Sequence, residues 1–148
     1  MQHLATIRRL YGDTQIDYRT LSGQVIAEVR GVVSAKVLGD FVLDMLPIVA
    51  QTQALSMVVE LRQADVTATL SEICANPSRV PQGMSHLPIC TVVRNDAWSL
   101  FRGHAWAAAK AGLIRGVFVD QEEARQWAHR HQPNHLIRLC SQTPESAR

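Results

Sequence analysis

The sequence has no apolar run of about 18 residues, the length a membrane-crossing helix needs, so none of its 148 residues is expected to span a bilayer. Cysteine is scarce: Cys74, Cys90 and Cys140 share no close spacing. An odd, scattered count fits reduced thiols in a cytoplasmic protein better than a disulfide framework. Aromatic residues make up only 5%, and the net charge is +2. Arg8, Arg9, Arg62, Arg94, Arg102, Lys110, Arg115, Arg125, Arg130 and Arg138 are spread along the chain. A nucleic-acid groove needs clustered cations interleaved with aromatics, and this pattern excludes one. The opening residues Met1 to Arg9 lack the apolar core of a secretory signal. Low-complexity segments and internal repeats are also missing. What remains is a chain that is 47% hydrophobic and 19% charged, a composition that folds.

Catalytic patterns are equally sparse. No Gly-x-Ser-x-Gly elbow and no glycine-rich phosphate loop occur. Cys90 falls inside an apolar run, where a thiol packs and stays inert. Cys74 has no neighbouring histidine to activate it. His129, His131 and His135 tempt a metal reading, but positions two apart do not share a helix face, and Pro133 breaks the path to His135. Glu122 and Glu123 suit a helix start rather than an acid–base pair. His104 reads as a helix-surface histidine, with a place beside an apolar pocket as the alternative. The expectation is a protein that is not an enzyme, with no catalytic residue, no cofactor and no metal.

The apolar pattern then lays out the elements. Gln15–Thr20 and Gln24–Arg30 read as strands around a Leu21-Ser22-Gly23 turn. Ser34 is placed to cap a helix whose apolar positions are Val37, Leu38, Phe41, Val42, Met45 and Leu46, with Pro47 expected to bend or end it near Met45. Ser56–Leu61 has the near-continuous apolar character of a strand buried on both faces. Thr69 with Glu72 forms a capping box ahead of a short helix. Asn76–Pro88, with Pro77, Pro81, Gly83 and Pro88, is the long loop. Ile89–Val93 reads as a central strand. Asp96 is placed to cap a helix facing inward with Trp98, Phe101, Ala105 and Ala109, and Gly112 closes it. Ile114–Val119 reads as another central strand, and Asp120 with Glu123 opens a helix carrying Ala124, Trp127 and Ala128 inward. Asp65, Asn95, Asp96 and Asp120 would line the carboxyl edge of the parallel strands, where open α/β sheets take ligands, although each also suits a helix cap.

The predicted order is β-β-α-β-α-β-α-β-α: one α/β domain over residues 1–148 with a core at 15–132, a small mixed sheet of about five strands, and helices packed on it. Leu136, Ile137, Leu139 and Cys140 form a short apolar run expected to dock on the sheet or across a homodimer, with 141–148 as a loose tail.

This order resembles the STAS domain, the SpoIIAA-like fold of anti-sigma-factor antagonists and of sulfate-transporter tails. The likeness is greatest from Ile89 through Asn95-Asp96-Ala97-Trp98-Ser99-Leu100-Phe101, Ala111 to Asp120 and Glu123 to Trp127. It implies a non-enzymatic, cytoplasmic, bacterial regulatory module working through a protein partner. In regulatory members, the strand matching Met57–Leu61 leads into an Asp-Ser-Ser-Gly turn whose serine is phosphorylated. That motif is absent here, and Thr69 is the positional match to the phosphoacceptor, competing with its reading as a cap. In the long loop, Arg79, Met84 and His86 mix polar donors with one adaptable apolar side chain, which suits contact with a partner. The second functional expectation is a carrier or sensor of a small apolar, lipid-like ligand. The fold is also similar to lipid-binding domains of the Sec14 type, and the helix Val37–Val49 is apolar over much of its circumference.

Overall fold

The computed structural model describes residues 6–75 and 85–132. Ser22 and Gly23 both adopt positive φ, 53° and 78°, which gives a two-residue hairpin turn the twist its strands require. They join β2 (Thr14–Leu21) to β3 (Gln24–Val33) as an antiparallel pair, with Leu21 opposite Gln24. An additional strand, β1 (Ile7–Tyr11), pairs antiparallel with β2. Its exposed Arg8, Arg9 and Leu10 hid it from a reading based on hydrophobic alternation.

Ser34 caps α1 (Ala35–Thr52) by accepting from the Val37 N–H. The helix runs through Pro47, against the expected break near Met45. Proline removes the bond to the carbonyl four residues back. Here that carbonyl belongs to Leu43, and Leu43 and Pro47 are both exposed, so the break in bonding falls on the solvent side of the helix, where an unpaired carbonyl costs least. Val37, Phe41, Val42, Met45 and Ile48 are buried on the inner side. Tyr11 Oη donates to Asp44 Oδ2, tying β1 to this helix.

β4 (Ser56–Glu60) lies between β3 and β6 (Ile89–Val92), parallel to both, and is buried along its whole length, as its apolar run implied. Its two buried polar ends are satisfied. Ser56 Oγ accepts from Gln132 Nε2 at 2.8 Å, and Glu60 holds Arg62 Nη2 at 2.6 Å. Beyond β4, the far end of β3 pairs with a short β5 (Ala64–Val66), which the sequence reading missed. Gly31 opens the pairing with β5, opposite Ala64, with φ 101°, and a Cβ there would lie 2.9 Å from the Asp13 carbonyl oxygen. Both facts require glycine. Thr69 opens α2 (Leu70–Ala75) through the expected capping box: its N–H donates to Glu72 Oε1 at 2.9 Å, and its Oγ1 accepts from the Glu72 N–H at 3.2 Å.

Asn95–Ala97 form a 3₁₀ turn rather than the first turn of a helix capped by Asp96. α3 (Trp98–Lys110) starts after it without a side-chain cap. Phe101 and Ala108 are its buried residues, while Trp98 and Ala109, expected inward, are exposed. The late start turns the helix relative to the expected face. Gly112 then ends α3 with φ 81°. β7 (Arg115–Phe118) pairs parallel with β6, its one strand partner among the described residues. Asp120 caps α4 (Gln121–Arg130), accepting from the Glu123 N–H at 2.9 Å.

The described residues therefore hold seven strands, with the path β1-β2-β3-β4-β6-β7 and β5 beside β3. This is the mixed α/β sheet expected, with two strands more than the five anticipated. One face carries a large core in which Val25, Ala27, Val29, Met57, Val59 and Ile89 meet α1, α2 and α3. The other carries a smaller core in which Ile26, Val58, Cys90 and Val92 meet Ala124 and Ala128 of α4. The alternation along β3 divides its side chains between these faces. Each fully buried Val, Ile or Phe contributes about 1.5–3 kcal/mol to holding the layers together.

Candidate functional site

Among the described residues the large core leaves a partly open cavity. A cavity of 70 Å³ lies against the sheet, walled by Val37, Leu38, Phe41, Val42 and Met45 of α1, Ile73 of α2, and Phe101 of α3. Its floor comes from Ile16, Val29, Val33, Val59 and Ile89. A single water needs about 10–15 Å³ of such space, so this void has room for on the order of five water-sized groups. It arises because α1 sits towards β3 while α3 packs on β7, which leaves the middle strands beneath the gap between the two helices.

Three polar side chains reach this apolar chamber: Thr91, His104 and Arg115. His104 Nδ1 lies 3.2 Å from the Ile73 carbonyl oxygen. A carbonyl only accepts, so the neutral ring carries its proton on Nδ1 and leaves Nε2 as an acceptor. Burial pulls His104 below its ordinary 6.5, the bond to Ile73 opposes this, and the charge of Arg115 adds to the lowering. The expected surface position for His104 is therefore corrected. Three residues after Phe101, it shares that residue's inward face.

Arg115 enters from the first position of β7. Its Nη1 donates to the carbonyls of Leu87 at 3.1 Å and Ile114 at 2.9 Å, and its buried Nη2 has no hydrogen-bond partner. No carboxylate among the described residues pairs with it. Burial pushes Arg115 down to about 10, which still leaves it cationic at neutral pH. Sequence reasoning counted Arg115 only as one scattered cation. The available signal was an arginine opening an otherwise apolar strand with no acid within two positions.

The other expected site residues are not gathered here. Thr69 is exposed at the start of α2, with its hydroxyl engaged in the capping box. His86 is exposed. Arg79, Met84, most of the loop Asn76–Pro88, His135 and the run from Leu136 to Cys140 lie outside the described residues, as do the tail 141–148 and the side chain of Cys74. Asp65 and Asp96 do share a depression at the carboxyl ends of the strands, with Arg94, Ala97 and Leu100. Arg94 faces Asp96 there at 3.4 Å in an exposed pair, which screening makes weak. Asp120 caps α4 and takes no part in that depression.

Cys90 is fully buried, and burial alone pushes its thiol up to about 12, which fits inert packing. Among the described residues no three His, Cys, Asp or Glu side chains are grouped to hold a metal. His131 stacks on Trp127, with ring centroids 4.2 Å apart, and its Nδ1 lies 2.8 Å from the Trp127 carbonyl oxygen. No helix among the described residues is long and apolar enough to cross a membrane. The outer side of α1 exposes Leu43 and Leu46, at 66% and 40%.

No protein-family model matches the chain, and no curated protein matches it. Among solved structures it is similar to an uncharacterised protein of the DUF3478 family with a SpoIIAA-like fold from Shewanella loihica PV-4. That pair shares 10% identity over 86% of this chain and 96% of the other, with a TM-score of 0.48. It is also similar to the Bacillus cell-fate determinant SpoIIAA in its phosphorylated form, at 7% identity over 82% of this chain and 97% of that one, with a TM-score of 0.41. These likenesses assign no residue a role.

Proposed function

We propose that this protein is a binding module that senses or carries a small, largely apolar ligand in the partly open chamber between α1, α2, α3 and the sheet. The observation that supports this reading is the unfilled 70 Å³ chamber in an otherwise layered core. Protein interiors pack to the density of organic crystals, so a void of this size forfeits dispersion contacts along its lining. A ligand that restores those contacts binds for that reason.

The test is a titration of the isotope-labelled protein with hexan-1-ol, followed by backbone amide shifts. Saturable shifts centred on Val42, Val59 and Phe101, with a rise in melting temperature, support the reading. Absence of saturable shifts at those residues rejects it.

A regulatory role through a protein partner is the second reading, and the exposed Leu43 and Leu46 favour it. They lie on the helix whose inner side walls the chamber. A ligand that shifts α1 therefore alters the surface a partner would meet, which joins sensing to interaction in one element.

A further inference from the structure

Resting on the reading of the chamber as a ligand site, we infer that its ligand is a short aliphatic monocarboxylate, with the carboxylate accepting hydrogen bonds from Arg115 Nη2. The chamber's walls are aliphatic and aromatic, but one end holds a guanidinium group with one nitrogen committed and one free. A structural role for Arg115, pinning the carbonyls of Leu87 and Ile114, uses Nη1 alone. It does not account for a buried Nη2 left without an acceptor among the described residues, an arrangement that costs free energy unless a partner arrives.

The number of charges sets the class. Arg115 is the only Lys or Arg side chain lining the chamber among the described residues. A phosphate would bring a second negative charge, and among the described lining residues only His104, whose burial disfavours its charged form, could offset it. A monocarboxylate matches the single cation, and its oxygens suit the guanidinium edge. The Thr91 hydroxyl lines the same chamber and is a further donor. Chamber size then limits the tail. With room for on the order of five water-sized groups, chains of about four to six carbons fit inside, and longer ones must leave through an opening.

The test compares hexanoate with hexan-1-ol on the full-length chain by amide-shift titration at pH 7.5, together with decanoate to ask whether longer acids also enter. Hexanoate is expected to bind at least about tenfold more tightly than the alcohol. Arg115→Gln is expected to remove most of the tenfold preference for hexanoate over the alcohol, because a neutral amide gives no charge-assisted bond to the carboxylate; a preference that persists in this variant overturns the assignment to Arg115. If that variant does not fold, the comparison within the natural protein still decides. Equal affinity for acid and alcohol overturns the carboxylate inference and leaves the apolar chamber standing. Failure of both ligands removes both. Tighter binding of inorganic phosphate than of hexanoate also overturns it.

Discussion

At Thr69 the local geometry is simple: a hydroxyl and a carboxylate close on each other's backbone N–H groups across one turn. Thr69→Ala removes one of these acceptors and is expected to lower stability by about 1 kcal/mol in chemical denaturation. Thr69→Asp keeps an acceptor and adds a favourable charge at the helix start, so it should stay near the natural value. Equal losses for both would show that the box contributes nothing. His104 gives a second residue-scale expectation. Its folded-state affinity for a proton is held below the ordinary 6.5, so the unfolded chain binds more protons as pH falls through that value. Stability is therefore expected to decline from about pH 7 towards about pH 5. His104→Asn keeps a donor for the Ile73 carbonyl and lacks the titrating ring, so its decline over the same range should be shallower. Identical pH profiles for the two proteins would contradict the buried, neutral state of His104.

Among the elements, those closed by local chemistry were legible in the sequence. The Ser22–Gly23 turn, the Ser34 cap, the box at Thr69 and Glu72 and the cap at Asp120 all formed as their residue types require. What escaped depends on neighbours distant in sequence. β1 exists because β2 offers it a partner, although much of it faces water. β5 exists because the far end of β3 offers it a partner. The committed half of Arg115 likewise depends on Leu87, 28 residues away. α1 carries the element-scale prediction. Because the helix continues through Pro47, Pro47→Ala restores a donor to the Leu43 carbonyl and is expected to stabilise the protein by on the order of 1–3 kcal/mol. A lower melting temperature for that variant would mean that the proline is favoured at its site.

At the scale of the whole molecule, one sheet divides two unequal cores. The α4 side packs closely enough that a Cβ on Gly116 would meet the Trp127 ring at 3.1 Å. The α1–α3 side keeps a chamber with an unpaired cation at its edge. That contrast is the physical basis for placing function between α1 and α3. The most direct measurement is an isotope-filtered nuclear Overhauser experiment on the labelled protein with unlabelled hexan-1-ol. Contacts from the ligand methyl group to the side chains of Val42, Val59 and Ile73 are the expected result. Contacts confined to Leu43 and Leu46 on the outer side of α1 would contradict it.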